Sequence, residues 1–84
     1  MKYTIRFEKK AVKVLETIPQ SFRKSIIEAI EELGTNPRPV GCKKLKGVTG
    51  YRIRVADYRV IYDINDREIR ITVLKIGHRK QVYE

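Results

Sequence analysis

Cysteine, histidine and long apolar runs are what this sequence has least of, and each shortage removes a class of function. Cys42 is the only cysteine and His78 the only histidine. No internal disulfide can form, and one Cys with one His cannot build a zinc cluster. That composition agrees with a reducing cytoplasm. The first residues, Met1 to Phe7, alternate polar and apolar and lack the continuous apolar stretch of a signal peptide. No run approaches the ~18 apolar residues of a membrane helix, so a soluble, untargeted protein is expected. A chain of 84 residues buries only roughly 60 to 65% of the surface its unfolded form exposes. It is expected to form one domain over 1–84, with no second core and no large enclosed substrate cavity.

Negative charge is scarce as well. There are 10 acidic side chains against 19 lysines and arginines, a net charge of +9. Residues 1–40 hold eight basic and five acidic side chains and residues 41–84 hold eleven and five, so the excess sits in the second half. An anionic partner is expected of so basic a surface. The plainer alternative is that these charges only confer solubility, and their arrangement decides between the two.

Residues 2–7 read as a strand. Ala11, Val14, Leu15 and Ile18 then fall at i, i+3, i+4 and i+7, the period of a helix, and Pro19 punctuates it. Proline is tolerated in a first helical turn, so a second helix can begin there and bury Phe22, Ile26, Ile27, Ile30 and Leu33. Gly34 is expected to end it in the left-handed conformation, with Pro37 and Pro39 preventing continuation. The two helices form an antiparallel hairpin. Asn36 to Gly50, with Lys43, Lys44 and Lys46 among its prolines and glycines, reads as an irregular basic connection. From Tyr51 the period becomes two, giving strands over 51–55, 58–64 and 69–74 joined by short turns at Ala56-Asp57 and near Asn65-Asp66.

Strand register decides where the arginines go. A two-residue loop at Ala56-Asp57 sets Val55 opposite Tyr58, Ile53 opposite Val60 and Tyr51 opposite Tyr62, all on one face. A second loop at Asn65-Asp66 sets Tyr62 opposite Ile69, Val60 opposite Ile71 and Tyr58 opposite Val73, on that same face. The other face then exposes Arg52, Arg54, Arg59 and Arg70, with Arg54 directly across from Arg59. Like charges facing each other in a sheet cost roughly 0.2 to 1 kcal/mol unless an anion joins them. Phosphate suits the fork of arginine, which holds two oxygens at once and never loses its charge.

The run GYRIRVADYRVIYDI, with the NPRP helix ending and the KKLKG connector before it and KIGHRKQVY after it, resembles the RelE side of the RelE/ParE toxin superfamily over nearly the whole chain. The resemblance implies an α+β fold of the microbial-ribonuclease kind: an N-terminal strand, an α-helical hairpin and a three-stranded antiparallel meander. It also implies a type II toxin that cleaves messenger RNA in the ribosomal A site by attack of a ribose 2′-hydroxyl on the adjacent phosphate, without a metal or other cofactor. An acidic cognate antitoxin that folds on binding is the implied partner.

Carried over residue by residue, the resemblance assigns the reaction to Arg52, Arg54, Arg59, Arg79 and Tyr83. Arginine is a poor proton acceptor, and where better-known members have lysine on the second strand this chain has Arg52 and Arg54. These two therefore read as phosphate clamps. Tyr83 is the family-based candidate for proton transfer, provided neighbouring cations lower its pKa from ~10. His78, with an ordinary pKa near ~6.5, is the other; a surface histidine at a strand end is otherwise inert. Lys43, Lys44 and Lys46 read as a diffuse RNA contact, or as a solvated loop. Tyr51, Tyr58 and Tyr62 belong to the inward face and read as core, and Cys42 has no basic partner that would make it a nucleophile. Two rivals remain: a ParE-like inhibitor of DNA gyrase, and a catalytically inactive RNA-binding module of the same fold.

Overall fold

The computed structural model describes residues 2–47 and 50–78. In chain order these form β1 (Thr4–Phe7), α1 (Lys9–Thr17), α2 (Gln20–Leu33), β2 (Lys43–Lys44), β3 (Tyr51–Val55), β4 (Tyr58–Asn65) and β5 (Arg70–His78). The architecture is α+β: a five-stranded sheet ordered β1-β5-β4-β3-β2, antiparallel except for the parallel pairing of β1 with β5. The three closing strands are neighbours in sequence order, as a meander requires.

The helices form where apolar spacing places them. Ala11 and Leu15 of α1, Ile26, Ile30 and Leu33 of α2, and Ile18 between the helices are all buried. They pack on Ile53, Val60, Tyr62, Ile71, Val73 and Ile76 of the sheet in one core. The buried stripe of α2 is narrower than expected. Phe22 and Ile27 remain 43% and 36% exposed: Ile27 lies beside the sheet-facing row of Ile26, Ile30 and Leu33, and Phe22 begins that row in the first turn, against Tyr58. Gly34 also departs from expectation: its φ of −60° and ψ of −30° are right-handed. Its need for glycine is steric. A Cβ there would lie 3.1 Å from the Glu31 carbonyl oxygen and 3.2 Å from that of Tyr3, where the chain returns close enough for Tyr3 N–H to donate to Gly34 O at 2.7 Å.

The first hairpin has the expected register, with Val55 opposite Tyr58, Arg54 opposite Arg59, Ile53 opposite Val60 and Tyr51 opposite Tyr62. The second does not. Tyr62 pairs with Val73, Ile64 with Ile71 and Asn65 with Arg70, so the expected pairings with Ile69, Ile71 and Val73 are each displaced. The turn spans residues 66–69. Asn65 Oδ1 accepts from Glu68 N–H at 2.9 Å, an Asx-type closure that lengthens the loop, and Ile69 leaves the strand at φ 53°. Tyr62 thereby moves four residues along its partner, an even number, so the two faces keep their identity. An irregularity at Ile61/Tyr62 then steps the pairing again, placing Val60 opposite Ile76 and Arg59 opposite Gly77.

The basic connection is not wholly irregular, since Lys43 and Lys44 add a short strand to β3. Nor is the outer face of the sheet purely polar. Leu45 and Ile61 are buried there with Leu74 packed against them, a small apolar cluster separate from the main core. Val60, Ile61 and Tyr62 are thus three consecutive buried residues, serving both sides of a central strand.

Candidate nucleic-acid interface

The cationic side of the sheet is built in rows across the strands. One row runs Lys43, Arg52, Ile61 and Lys75; the next runs Arg54, Arg59 and Gly77. Gly77 contributes no side chain beside Arg59 and is itself buried. Arg54 is exposed and Arg59 half-buried. Arg52 departs from expectation, being only 3% exposed: it lies on an inner strand between β2 and β4, beside the apolar pair Leu45 and Ile61. It belongs to the floor of the face.

A cleft of about 410 Å³ opens here, lined by Val40, Gly41, Lys43, Arg52, Ile53 and Arg54. Three cations converge on it, and it is wide enough for a phosphate and part of its sugar but not for a whole oligonucleotide. Arginine forks on a rigid sheet can hold a phosphate without rearranging. A fixed cationic site of this kind also stabilises a phosphorane more than the starting phosphate, because the former carries more charge.

A second polar cluster, beside a separate hollow, fastens the segment that leads to Val40. Arg38 Nη2 lies 2.9 Å from Asp66 Oδ2, Tyr3 Oη donates to Asp66 Oδ1 at 2.6 Å, and Arg38 Nε donates to Tyr51 Oη at 3.3 Å. The guanidinium also sits 5.3 Å from the Tyr51 ring centroid, and Tyr51 stacks on Tyr62 at 5.9 Å. Hydrogen bonds from Arg38 and Tyr3 hold the Asp66 carboxyl below its ordinary pKa, while the bond to Asp66 raises that of Tyr3. Tyr62 Oη donates to Pro37 O at 2.7 Å. Burial, with Cys42 close by, pushes the Tyr62 phenol far above its usual range, so it serves as a neutral hydrogen-bond donor.

The structure brings Arg52, Arg54, Arg59 and Lys43 to one side of the sheet and separates the remaining lysines from them. Lys44 lines a different hollow with Arg38 and Tyr51, as adjacent residues of a strand must, and Lys46 lies exposed in the following loop. Arg70 is half-buried at the far end of β5, where it pairs with Glu68. His78 closes β5 opposite Tyr58, their rings 5.8 Å apart and edge to face. Tyr58 in turn meets Phe22 at 5.8 Å. Arg79 and Tyr83 lie outside the described residues. Among those described, no group of three or more His, Cys, Asp or Glu residues could hold a metal, and no helix is long and apolar enough to cross a membrane. Sequence reasoning missed Arg38, Val40 and Asp66; Arg38 and Val40 lie in or beside the NPRP motif, whose signal is that of a helix stop and a family resemblance and not of a site.

The family model for the ParE toxin of the type II toxin-antitoxin system parDE matches residues 2–83. The putative toxin RelE1 of Methanocaldococcus jannaschii is 35% identical, over 100% of this chain and 98% of that protein. The mRNA interferase toxin RelE of Escherichia coli K12 is 24% identical over 96% of this chain and 87% of its own length. Among solved structures, the archaeal RelE–RelB complex from Pyrococcus horikoshii OT3 superposes with a TM-score of 0.85 at 32% identity, covering 98% of this chain and 100% of the matched one. With the helices, sheet and cationic strands in place among the described residues and the family model matched from 2 to 83, the chain is a RelE-type toxin of the RelE/ParE superfamily.

Proposed function

We propose that this toxin is an endoribonuclease that cuts messenger RNA in the ribosomal A site, and that a cognate antitoxin restrains it. The observation that carries the reading is the Arg54–Arg59 cross-strand pair. It sets two guanidinium groups across from each other on one face, where a phosphate can engage both. In the reaction the substrate's 2′-oxygen attacks the adjacent phosphorus as its proton leaves, and the bond from phosphorus to the 5′-oxygen breaks as that oxygen gains a proton. The products are a 2′,3′-cyclic phosphate and a free 5′-hydroxyl. Arg54 and Arg59 supply charge to the phosphorane, and Arg52 with Lys43 holds the floor and rim. By the family pattern Arg79 joins the cations of the site and Tyr83 takes proton transfer, with His78 as the alternative.

The open cleft explains why a ribosome is required. Positioning accounts for much of the rate of such a reaction, and a shallow face borrows that order from messenger RNA already fixed in the decoding site. Solved relatives are complexes with RelB, which supports an acidic antitoxin segment folding over the basic face. Mapping 5′ ends of messenger RNA with and without programmed ribosomes tests the reading: cleavage should depend on the ribosome. Equal cleavage of free RNA would remove the borrowed-order argument. No cleavage with inhibition of DNA gyrase intact would favour the alternative suggested by the ParE description of the matching family model, and neither activity would leave an inactive RNA-binding module.

A further inference from the structure

The most exposed large apolar side chain among the described residues stands at the rim of the cationic cleft. Val40 is fully exposed, at 106% of its reference surface, beside Arg52 and Arg54. A single surface valine needs no explanation; the way this one is held does. The ring of Pro39 fixes its own φ and confines Arg38 before it to extended backbone. Pro39 O accepts from Cys42 N–H at 3.1 Å and Gly41 takes φ 95°, so Val40 occupies the corner of a tight turn. That turn is fastened on both sides. Downstream, β2 pairs with β3; upstream, Arg38 bonds Asp66 and Pro37 O accepts from Tyr62.

The geometry points to Val40 as a substrate-contacting residue, the apolar edge against which the sugar or base beside the clamped phosphate packs, with Arg38 and Asp66 as positioning residues that keep it there. This rests on reading the cleft as the RNA site. Cations fix a phosphate but leave the attached nucleoside free to rotate, and in-line attack needs that rotation stopped. A β-branched side chain on a fastened turn is a suitable stop, since its one free torsion is already restricted.

The test uses Val40→Ala, Asp66→Asn and the double variant, with Val40→Ile as the conservative control, on programmed ribosomes. Val40 packs against nothing that holds the fold, and urea midpoints establish that every variant is folded at assay temperature. Val40→Ala should lower kcat/KM about tenfold, the low end for loss of a methylene-scale contact, with Val40→Ile near the parent. Asp66→Asn should cause a similar loss by releasing the turn, and the double variant should be no worse than the poorer single one, as for residues acting through one contact. Losses that multiply in the double variant would separate the ion pair from Val40 and overturn the inference. Parental rates in both single variants would overturn it while leaving the RNA site intact. A parent that cuts no RNA would refute the site itself, and this inference with it.

Discussion

Replacing Arg54 by methionine separates what the cationic face costs the fold from what it contributes to the reaction. Arg54 is exposed and sits directly opposite Arg59. Removing one of two facing like charges relieves roughly 0.2 to 1 kcal/mol, and methionine retains most of the apolar stem. With a urea m-value of about 1 kcal/mol/M for a small domain, the midpoint should rise by no more than about 1 M and should not fall. A charge-assisted hydrogen bond contributes about 1.5 to 3 kcal/mol; lost from the transition state, it lowers the rate roughly tenfold to 150-fold. Because the phosphorane is more negative than the substrate phosphate, the loss should fall on kcat more than on binding. Urea unfolding and single-turnover cleavage on ribosomes, for parent and variant at matched salt, measure both quantities. A clearly lower urea midpoint would show that Arg54 stabilises the free protein, contrary to the repulsion argument, and cleavage at the parental rate would remove Arg54 from the site.

Arg52→Ala should behave oppositely and destabilise: the two buried methylenes beyond Cβ at ~0.8 kcal/mol each give ~1.6 kcal/mol, and a urea midpoint equal to that of the parent would contradict its observed burial. The Asp66 carboxyl has its folded pKa depressed by Arg38 first and Tyr3 second. Its stabilising contribution is therefore complete above the unfolded value near ~3.9 and is lost as pH falls through the lower folded value; thermal unfolding of Asp66→Asn should show a smaller drop between neutral and acid pH than the parent, and an identical drop would mean the pair is inert in solution. Gly50 adopts φ 132° with a Cβ position 3.1 Å from Tyr62 O, so Gly50→Ala should cost about 1 to 3 kcal/mol, read as a lower urea midpoint, and an unchanged midpoint would show that the backbone relaxes freely.

What the sequence disclosed follows from how local each determinant is. The first hairpin was legible because a two-residue loop fixes both parity and alignment, and so sets Arg54 opposite Arg59. The second was half legible. Alternation identified its faces, but the turn closure by Asn65 and the step at Ile61/Tyr62 moved the alignment, and neither has a strong local signature. Alternation placed Arg52 on the outer side without saying what covers that side; the consecutive apolar residues Val60, Ile61 and Tyr62 were the available sign that both faces of β4 are covered. Arg38 and Asp66 meet only through the fold, since each is an ordinary charged residue in its own segment. The length of Gly34's helix could be read, yet its conformation could not, because the pressure on it comes from Tyr3 at the other end of the chain.

The position of β5 has a consequence for how the protein comes into being. The strand made last among those described lies inside the sheet, between β1, made first, and β4. During synthesis β1 and both helices emerge with no partner to dock on, and the core cannot close around Val60 and Tyr62 until residues 70–78 have left the ribosome. Such distant pairing slows folding, and a domain generally folds as a unit. The nascent chain therefore lacks a fixed cationic face until β5 has emerged to close the sheet.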